Sequence, residues 1–161
     1  MREVLVRNSH RRLRLDRKCR AALVRAIGVL DENRAKFLGG CPAGELSIVF
    51  LSDAALARLH DEFLNDPTTT DVITFEGAPE FGAAGEVCVS ADTAANYARA
   101  HGREFAEELM LYVVHGWLHL AGYDDLQPAK KRRMRAAENR AMTLLRKAGA
   151  LPGFAFRKGA K

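Results

Sequence analysis

The stretch LYVVHGWLHLAGYDD, residues 111–125, combines an apolar run with two histidines and an acidic pair. His115 and His119 stand four residues apart, and the apolar residues around them predict a helix, in which side chains at this spacing share one face. Gly122, three residues after His119, is typical of a helix end with a left-handed backbone. We expect the turn at this glycine to bring the following aspartates back towards the two imidazoles.

The spacing His-x3-His-x5-Asp matches the ligand spacing of the zincin motif HExxHxxGxxH, with Asp125 in the third-ligand position. Asp124 is then expected to stabilise the turn or to lie just outside the ligands. A single buried histidine is more often a hydrogen-bonded core residue, but two on one face with an acidic pair favour a metal site. The residue after His115 is Gly116 and not the glutamate base of zincin peptidases, which argues against a peptidase.

The motif HGWLHLAGYDD resembles the signature H-G-x-L-H-L-x-G-Y-D-H of the YbeY family of bacterial rRNA maturation factors, and only the last position differs. The resemblance continues upstream in LND (64–66), TDVITF (70–75) and GEVCVSADTA (85–94). These segments occur in the order found in the family and, with the helix that enters the motif, cover about two thirds of the chain.

This resemblance implies a zinc protein with single-strand-specific endoribonuclease activity. The implied role is maturation of the 16S rRNA 3′ end and ribosome quality control. Its expected partners are single-stranded RNA of the 16S rRNA precursor and proteins of the small ribosomal subunit.

Two positions depart from the family pattern. The third metal ligand is usually a histidine there and is Asp125 here, which remains an acceptable zinc donor but makes a bound water less acidic. Family members commonly carry an arginine in the loop before the Thr-Asp-Val strand, whereas this chain has a shortened loop at 66–69. If that arginine steadies the scissile phosphate, its absence argues against nuclease activity unless another cation replaces it.

Composition predicts one globular domain. The chain has 161 residues, of which 48% are hydrophobic, and no apolar run approaches the roughly 20 residues that cross a bilayer. The N-terminal residues contain no apolar signal-peptide core. Cys19, Cys41 and Cys88 form no C-x-x-C pair, which argues against a disulfide framework and a thiolate zinc site. The expected location is the cytoplasm.

Charge is distributed unevenly along the chain. Residues 1–36 hold 11 Lys/Arg and 4 Asp/Glu, residues 37–127 hold 3 and 15, and residues 128–161 hold 11 and 1. Two basic ends therefore flank an acidic middle that contains the candidate metal ligands. Basic segments of this density fit either a solvated surface or an RNA partner.

Hydrophobic periodicity and capping residues predict an α+β domain: a small mixed sheet packed with helices, with the metal motif on a central helix. Helices are predicted over 16–30, 53–64, 91–100, 103–121 and 128–148, and strands over 3–7, 12–15, 45–51, 71–75 and 86–90.

Several side chains carry more specific expectations. Phe75 is expected to meet Val87 and Val89 in the core, and His10 is expected to be an exposed loop residue. Asp71 is expected to fix the loop before its strand by accepting backbone N–H bonds, which is a structural and not a catalytic role. The tail from about residue 152 is expected to be loosely held.

For mechanism, the sequence predicts one zinc held by His115, His119 and Asp125, with water in the open position. Glu86 is a candidate general base, although a partner-facing or exposed strand-edge role fits it equally well. One alternative is a ribosome-assembly factor that has a structural zinc and no catalytic activity. Another is a metal hydrolase that acts on peptides or small molecules.

Overall fold

The structure, a computed structural model, describes residues 2–64 and 71–158. The described helices and strands are β1 (Val4–Asn8), β2 (Leu13–Arg14), α1 (Arg17–Glu32), β3 (Glu45–Leu51), α2 (Asp53–Leu64), β4 (Val72–Glu76), β5 (Ala83–Ser90), α3 (Ala91–Ala100), α4 (Phe105–Ala121), α5 (Pro128–Lys147) and β6 (Ala155–Phe156). Short 3-10 helices lie at Arg34–Lys36 and Pro79–Phe81.

The central sheet has the strand order β1-β3-β5-β4, in which β1, β3 and β5 are parallel and β4 is antiparallel to β5. β2 and β6 pair separately and are antiparallel. Helices α1, α4 and α5 pack on one face of the central sheet in the larger apolar core, and α2 packs on the other face. The predicted α+β class, a single domain with a small mixed sheet, is confirmed.

The starts of α1 and α3 follow local capping signals. The Asp16 carboxylate accepts a hydrogen bond from the Cys19 N–H at 2.9 Å, and the Ser90 hydroxyl accepts one from the Thr93 N–H at 3.0 Å. Each side chain satisfies a donor that the first helical turn leaves unpaired. Both caps are those that the sequence predicts.

Helix α4 lies at the centre of the larger core. Trp117 is fully buried, its ring meets Phe37 edge-on, and its indole N–H donates to the Asp31 carboxylate at 3.3 Å. The helix starts at Phe105, two residues later than predicted, and ends at Gly122, whose φ of 114° is left-handed. None of the helices in the described ranges is both long enough and apolar enough to cross a membrane.

Strand β5 corrects two expectations. It begins at Ala83 and not at Glu86, because Ala83 already pairs with Glu45 of β3 across an irregular register. Phe75 pairs with Glu86, so the pleat directs Phe75 towards α2, whereas Val87 and Val89 belong to the core around α4. The predicted contact of Phe75 with the two valines is therefore wrong, since they lie on opposite faces of the sheet.

The C-terminal segment up to residue 158 is held against the core, contrary to the loose tail expected from about residue 152. Phe154 is 4% exposed and its ring lies 5.3 Å from that of Phe50. Phe156 stacks on Phe105 at 4.6 Å and lies in β6, which pairs with β2. Apolar burial and strand pairing together fix this segment.

His10 is 8% exposed, which corrects its expected place in an exposed loop. Its Nδ1 accepts hydrogen bonds from the N–H groups of Arg12 and Leu13, each at 3.1 Å. The proton therefore sits on Nε2, which donates to the Asp92 carboxylate at 2.8 Å. Asp92 also accepts from the Asp53 N–H, so His10 and Asp92 connect the N-terminal segment to the starts of α2 and α3.

Candidate metal centre

The last two turns of α4 and the turn at Gly122 bring the three predicted ligands together. The Nε2 atoms of His115 and His119 lie 3.0 Å apart, and the Asp125 carboxylate lies 3.7 Å from His115 Nε2. One donor atom from each residue lies within 4.8 Å of the other two. The helical spacing aligns the imidazoles, and the left-handed Gly122 returns the chain so that the carboxylate faces them.

These three residues fit a zinc ion by donor type and by separation. Donors about 2.0–2.1 Å from a tetrahedral zinc lie about 3.3 Å from one another, and the observed separations of 3.0 and 3.7 Å bracket that value. Two imidazole nitrogens and one carboxylate oxygen form the three-ligand set of catalytic zinc sites, which keep one position open. The cluster could therefore hold a metal ion.

Glu138 of α5 contacts His115 on the side of its ring that faces away from His119. Its carboxylate is 2.5 Å from His115 Nδ1, which directs Nε2 of the same ring towards His119. A carboxylate on the outer nitrogen of a ligating histidine fixes the tautomer and makes the ring a better donor. The motif itself gives no sign of Glu138, which lies 13 residues beyond Asp125. One signal was available in the sequence, because Glu138 is the only acid among residues 128–161.

The two histidines have pKa values shifted in opposite directions. Burial acts to lower the pKa of His115, but the hydrogen bond and charge of Glu138, with the charges of Asp71 and Asp125, outweigh it and raise the pKa. Burial and the neighbouring His115 lower the pKa of His119. His119 therefore favours the neutral form that ligates a metal, while Glu138 increases the basicity of His115.

Packing explains why Gly116 follows the first histidine. A Cβ atom built on Gly116 would lie 2.3 Å from Cγ1 of Val87, so the helix meets β5 with no space for a side chain. A glutamate at this position would displace α4 from the sheet. The close packing of α4 on β5 therefore excludes the glutamate that serves as the base in zincin peptidases.

Glu86 is not brought to the three ligands. It neighbours Val87 on β5, and because side chains alternate along a strand it lies on the face opposite the Val87–Gly116 contact. Its carboxylate instead accepts a hydrogen bond from the Cys88 thiol at 3.5 Å. The candidate base predicted from the sequence therefore lies on the wrong face of the sheet for a role at the metal centre.

The other two predicted aspartates lie beside the site. Asp124 accepts from the Leu126 N–H at 3.3 Å and pairs with Lys130 at 3.3 Å, which is the expected turn-stabilising role. Asp71 accepts from the Val72 N–H at 3.0 Å, and the preceding loop that it is expected to fix lies outside the described residues. The departure at residues 66–69 lies outside the described residues.

A cavity of about 520 Å³ opens beside the metal centre and is lined by residues that include His115, Asp125 and Glu138. A larger cavity of about 1180 Å³ lies between α1 and the loop at 39–44. The described residues that line the larger cavity include no histidine, and Asp31 among them is already paired with Arg2 at 2.7 Å. Chemistry rather than size therefore identifies the smaller cavity as the candidate active site.

Comparison with known proteins gives a consistent family match. The model of the family described as Endoribonuclease YbeY matches residues 6–146. The chain is 43% identical to Endoribonuclease YbeY of Protochlamydia amoebophila over 108 residues, which cover 64% of this chain and 71% of the relative. It is 40% identical to the protein of the same name from Anaeromyxobacter dehalogenans over 140 residues, which cover 84% of this chain and 70% of the relative.

A solved structure agrees at the level of the fold. The solution structure of the Thermotoga maritima protein TM1509 matches with a TM-score of 0.61 and 22% identity, over 92% of this chain and 93% of that chain. At this identity the likeness concerns the fold alone. Because the family match spans nearly the whole described domain, including the helix and turn that carry the three donors, the chain belongs to the Endoribonuclease YbeY family.

Proposed function

We propose that this protein is a zinc-dependent endoribonuclease that cleaves single-stranded RNA. The observation that carries the proposal is the convergence of His115, His119 and Asp125 at the edge of an open cavity. Membership of a family whose named relatives are endoribonucleases supports the substrate class. The basic segments at both ends of the chain fit a polyanionic substrate.

Each residue of the site has a separate task in this proposal. His119 and His115 present their Nε2 atoms, and Glu138 fixes the ring of His115. Asp125 adds a carboxylate that reduces the net charge of the loaded site. A zinc ion held there would supply Lewis acidity and would lower the pKa of a water in its open position.

The biological role proposed is maturation of the 16S rRNA 3′ end and quality control of the ribosome, with the 16S rRNA precursor as substrate. Proteins of the small ribosomal subunit are proposed as partners. The resemblance of the HGWLHLAGYDD motif to the family signature supports this role, and the uneven charge offers surfaces for both RNA and basic proteins.

The test of activity is cleavage of a single-stranded RNA by zinc-loaded wild-type protein, compared with His115→Ala and with His60→Ala. His60 lies on α2, across the sheet from the site, and controls for loss of a histidine. We expect cleavage by wild type and His60→Ala, and loss of cleavage in a folded His115→Ala protein. Equal cleavage by all three proteins would contradict the proposal, and no cleavage by wild type would favour an assembly factor without catalytic activity.

The ligand assignment has its own test. Asp125→Ala is compared with Asp124→Ala by elemental analysis of protein purified without chelator or a metal-affinity tag. We expect about one zinc per chain in the Asp124 variant and a large loss in the Asp125 variant. Undiminished zinc in Asp125→Ala would remove Asp125 from the ligand set.

A further inference from the structure

The cavity beside the metal centre carries an excess of negative charge. Four carboxylates line it within the described ranges, and these are Asp71, Glu108, Asp125 and Glu138. A phosphodiester that enters is repelled by these groups unless cations offset them. Within the same lining, Lys131 and Arg135 are the side chains that bear a full positive charge.

Lys131 and Arg135 have exposed side chains on one face of α5. They share that face because they are four residues apart in the helix. Across residues 2–64 and 71–158, neither side chain makes an ion pair or hydrogen bond.

Other cations of α5 are already engaged with the protein. Lys130 pairs with Asp124, and Arg146 pairs with Glu107 at 2.7 Å. Arg140 donates to the backbone carbonyl of Lys36 at 2.9 Å. The cations that line the cavity differ from these in having no protein partner in the part of the chain that the structure describes.

The helix dipole does not explain the placement of Lys131 in the first turn of α5. The first two turns of α5 carry a run of four cations at 130–133, and its first turn contains no acid. Cations near a helix N-terminus oppose the helix dipole, which favours anions there.

We propose that Lys131 and Arg135 form a phosphate-binding subsite that holds the backbone of single-stranded RNA next to the metal ligands. The inference rests on the proposed function, and the two side chains supply the positive charge that the lining of the cavity offers to a phosphate. Arg135 offers a planar fork of donors that can bind two phosphate oxygens, and Lys131 adds a point charge. Both are positioning residues, because they orient substrate through its non-reacting oxygens.

The test compares two double variants that each remove one lysine and one arginine from α5. Lys131→Ala/Arg135→Ala removes the subsite, and Arg133→Ala/Lys147→Ala removes exposed cations that do not line the cavity. Cleavage of a fluorescent single-stranded RNA is measured on zinc-loaded protein from about 50 to about 200 mM salt. Zinc content and melting temperature are recorded for each variant, and Lys131→Arg is included as the conservative change.

We expect the subsite variant to lose at least about tenfold in kcat/KM at low salt, because two charge-assisted contacts disappear. The slope of log kcat/KM against log salt should fall by about 1.4, since each contact to single-stranded nucleic acid contributes about 0.7. Lys131→Arg should retain the wild-type slope. The control pair should change both quantities much less, and zinc content should be equal throughout.

Equal losses in the two double variants would overturn the subsite while leaving the nuclease proposal intact. Absence of cleavage by zinc-loaded wild type would contradict the nuclease proposal itself. In that case fluorescence anisotropy with the same RNA decides the subsite. Weaker binding by Lys131→Ala/Arg135→Ala than by the control pair would support it, and equal binding would overturn it.

Discussion

His115 makes contacts through both of its ring nitrogens, and this determines what its neighbour Glu138 does. Nδ1 lies 2.5 Å from the Glu138 carboxylate, and Nε2 faces the Nε2 atom of His119. We predict that Glu138→Gln weakens zinc affinity by about 10–100-fold, as for other carboxylates behind a ligating histidine. The measurement is a competition titration with a zinc chelator of known affinity.

The control for this prediction is Glu107→Gln. Glu107 is an acid of α4 that pairs with Arg146 outside the metal centre, and its replacement removes the same charge. The zinc affinity of the Glu107→Gln protein should equal that of wild type. Equal zinc affinity in both variants would show that Glu138 does not support the site.

Asp92 gives a prediction about pH. Burial acts to raise the pKa of Asp92, but hydrogen bonds from His10 and from the Asp53 N–H outweigh it and lower the pKa below 3.8. The ionised carboxylate therefore stabilises the fold above pH 3.8, and this contribution is lost as pH falls through the lower folded pKa. Asp92→Asn should cost about 1 kcal/mol at pH 7 after allowance for solvent screening.

Urea unfolding at pH 7 and near pH 3 tests this expectation. The difference in unfolding free energy between wild type and Asp92→Asn should shrink at the lower pH. Asp61→Asn, at an exposed position of α2, should show little difference at either pH. A difference for Asp92→Asn that grows towards low pH would contradict the direction of the pKa shift.

At the residue scale, the sequence predicts what lies close along the chain. His115, His119 and Asp125 could be recognised because helical spacing and a glycine turn are local features. Glu138 could not be assigned, because its contact with His115 depends on how α5 packs on α4. The burial of His10 likewise depends on Asp92, which is far away in sequence.

At the scale of elements, the close crossing of α4 and β5 at Gly116 fixes the position of the helix that carries His115 and His119. A Cβ on Gly116 would lie within 3.0 Å of both Cγ atoms of Val87. We predict that Gly116→Ala lowers the unfolding free energy by about 1–3 kcal/mol through overpacking, although alanine favours a helix. Urea denaturation measures the change.

Two variants make this prediction specific. Gly28 lies inside α1 with no atom within 4 Å of a Cβ built on it, so Gly28→Ala should stabilise the protein by about 0.5–1 kcal/mol. Val87→Ala combined with Gly116→Ala should cost less than the sum of the single changes, because the smaller side chain makes room. Additive costs would show that the two residues do not compete for space.

Most helices and strands could be predicted from the sequence, but the face of the sheet on which each side chain of β4 lies could not. Caps such as Asp16 and Ser90 fix helix starts through hydrogen bonds to their own first turns. The face on which Phe75 lies depends on its register with Glu86 of β5, and a shift of one residue would exchange the two faces. The sequence of β4 alone does not set that register.

For the whole molecule, the C-terminal segment joins parts that are distant in sequence. Phe154 packs on Phe50 of the central sheet, and Phe156 packs on Phe105 at the start of α4. We predict that Phe154→Ala lowers the unfolding free energy by about 3 kcal/mol, because its side chain is almost fully buried. Urea unfolding measures this change, and Phe81→Ala is the control because Phe81 is 86% exposed. An equal loss of unfolding free energy in the two variants would contradict the packed position of the C-terminal segment.

The fold brings side chains of the acidic middle and of the basic final segment to the same cavity. The acidic middle of the sequence supplies the carboxylates Asp71 and Asp125 to the cavity, and the basic final segment supplies Lys131 and Arg135 to the same place. The basic segments fit either a solvated surface or a polyanionic partner, and which of their cations face the cavity depends on the packing of α5. Family resemblance and local spacing together therefore predicted the cluster of His115, His119 and Asp125, while the surroundings of this cluster could be assigned only from the fold.

The central claim is that one metal ion, bound by His115, His119 and Asp125, supports RNA cleavage. The most direct measurement is a zinc titration of chelator-treated wild-type protein, with cleavage of single-stranded RNA followed at each addition. We predict that cleavage is absent at the start and rises to a plateau at about one zinc per chain. Cleavage that is unaffected by zinc removal, or that does not return when zinc is bound at that stoichiometry, would contradict the claim.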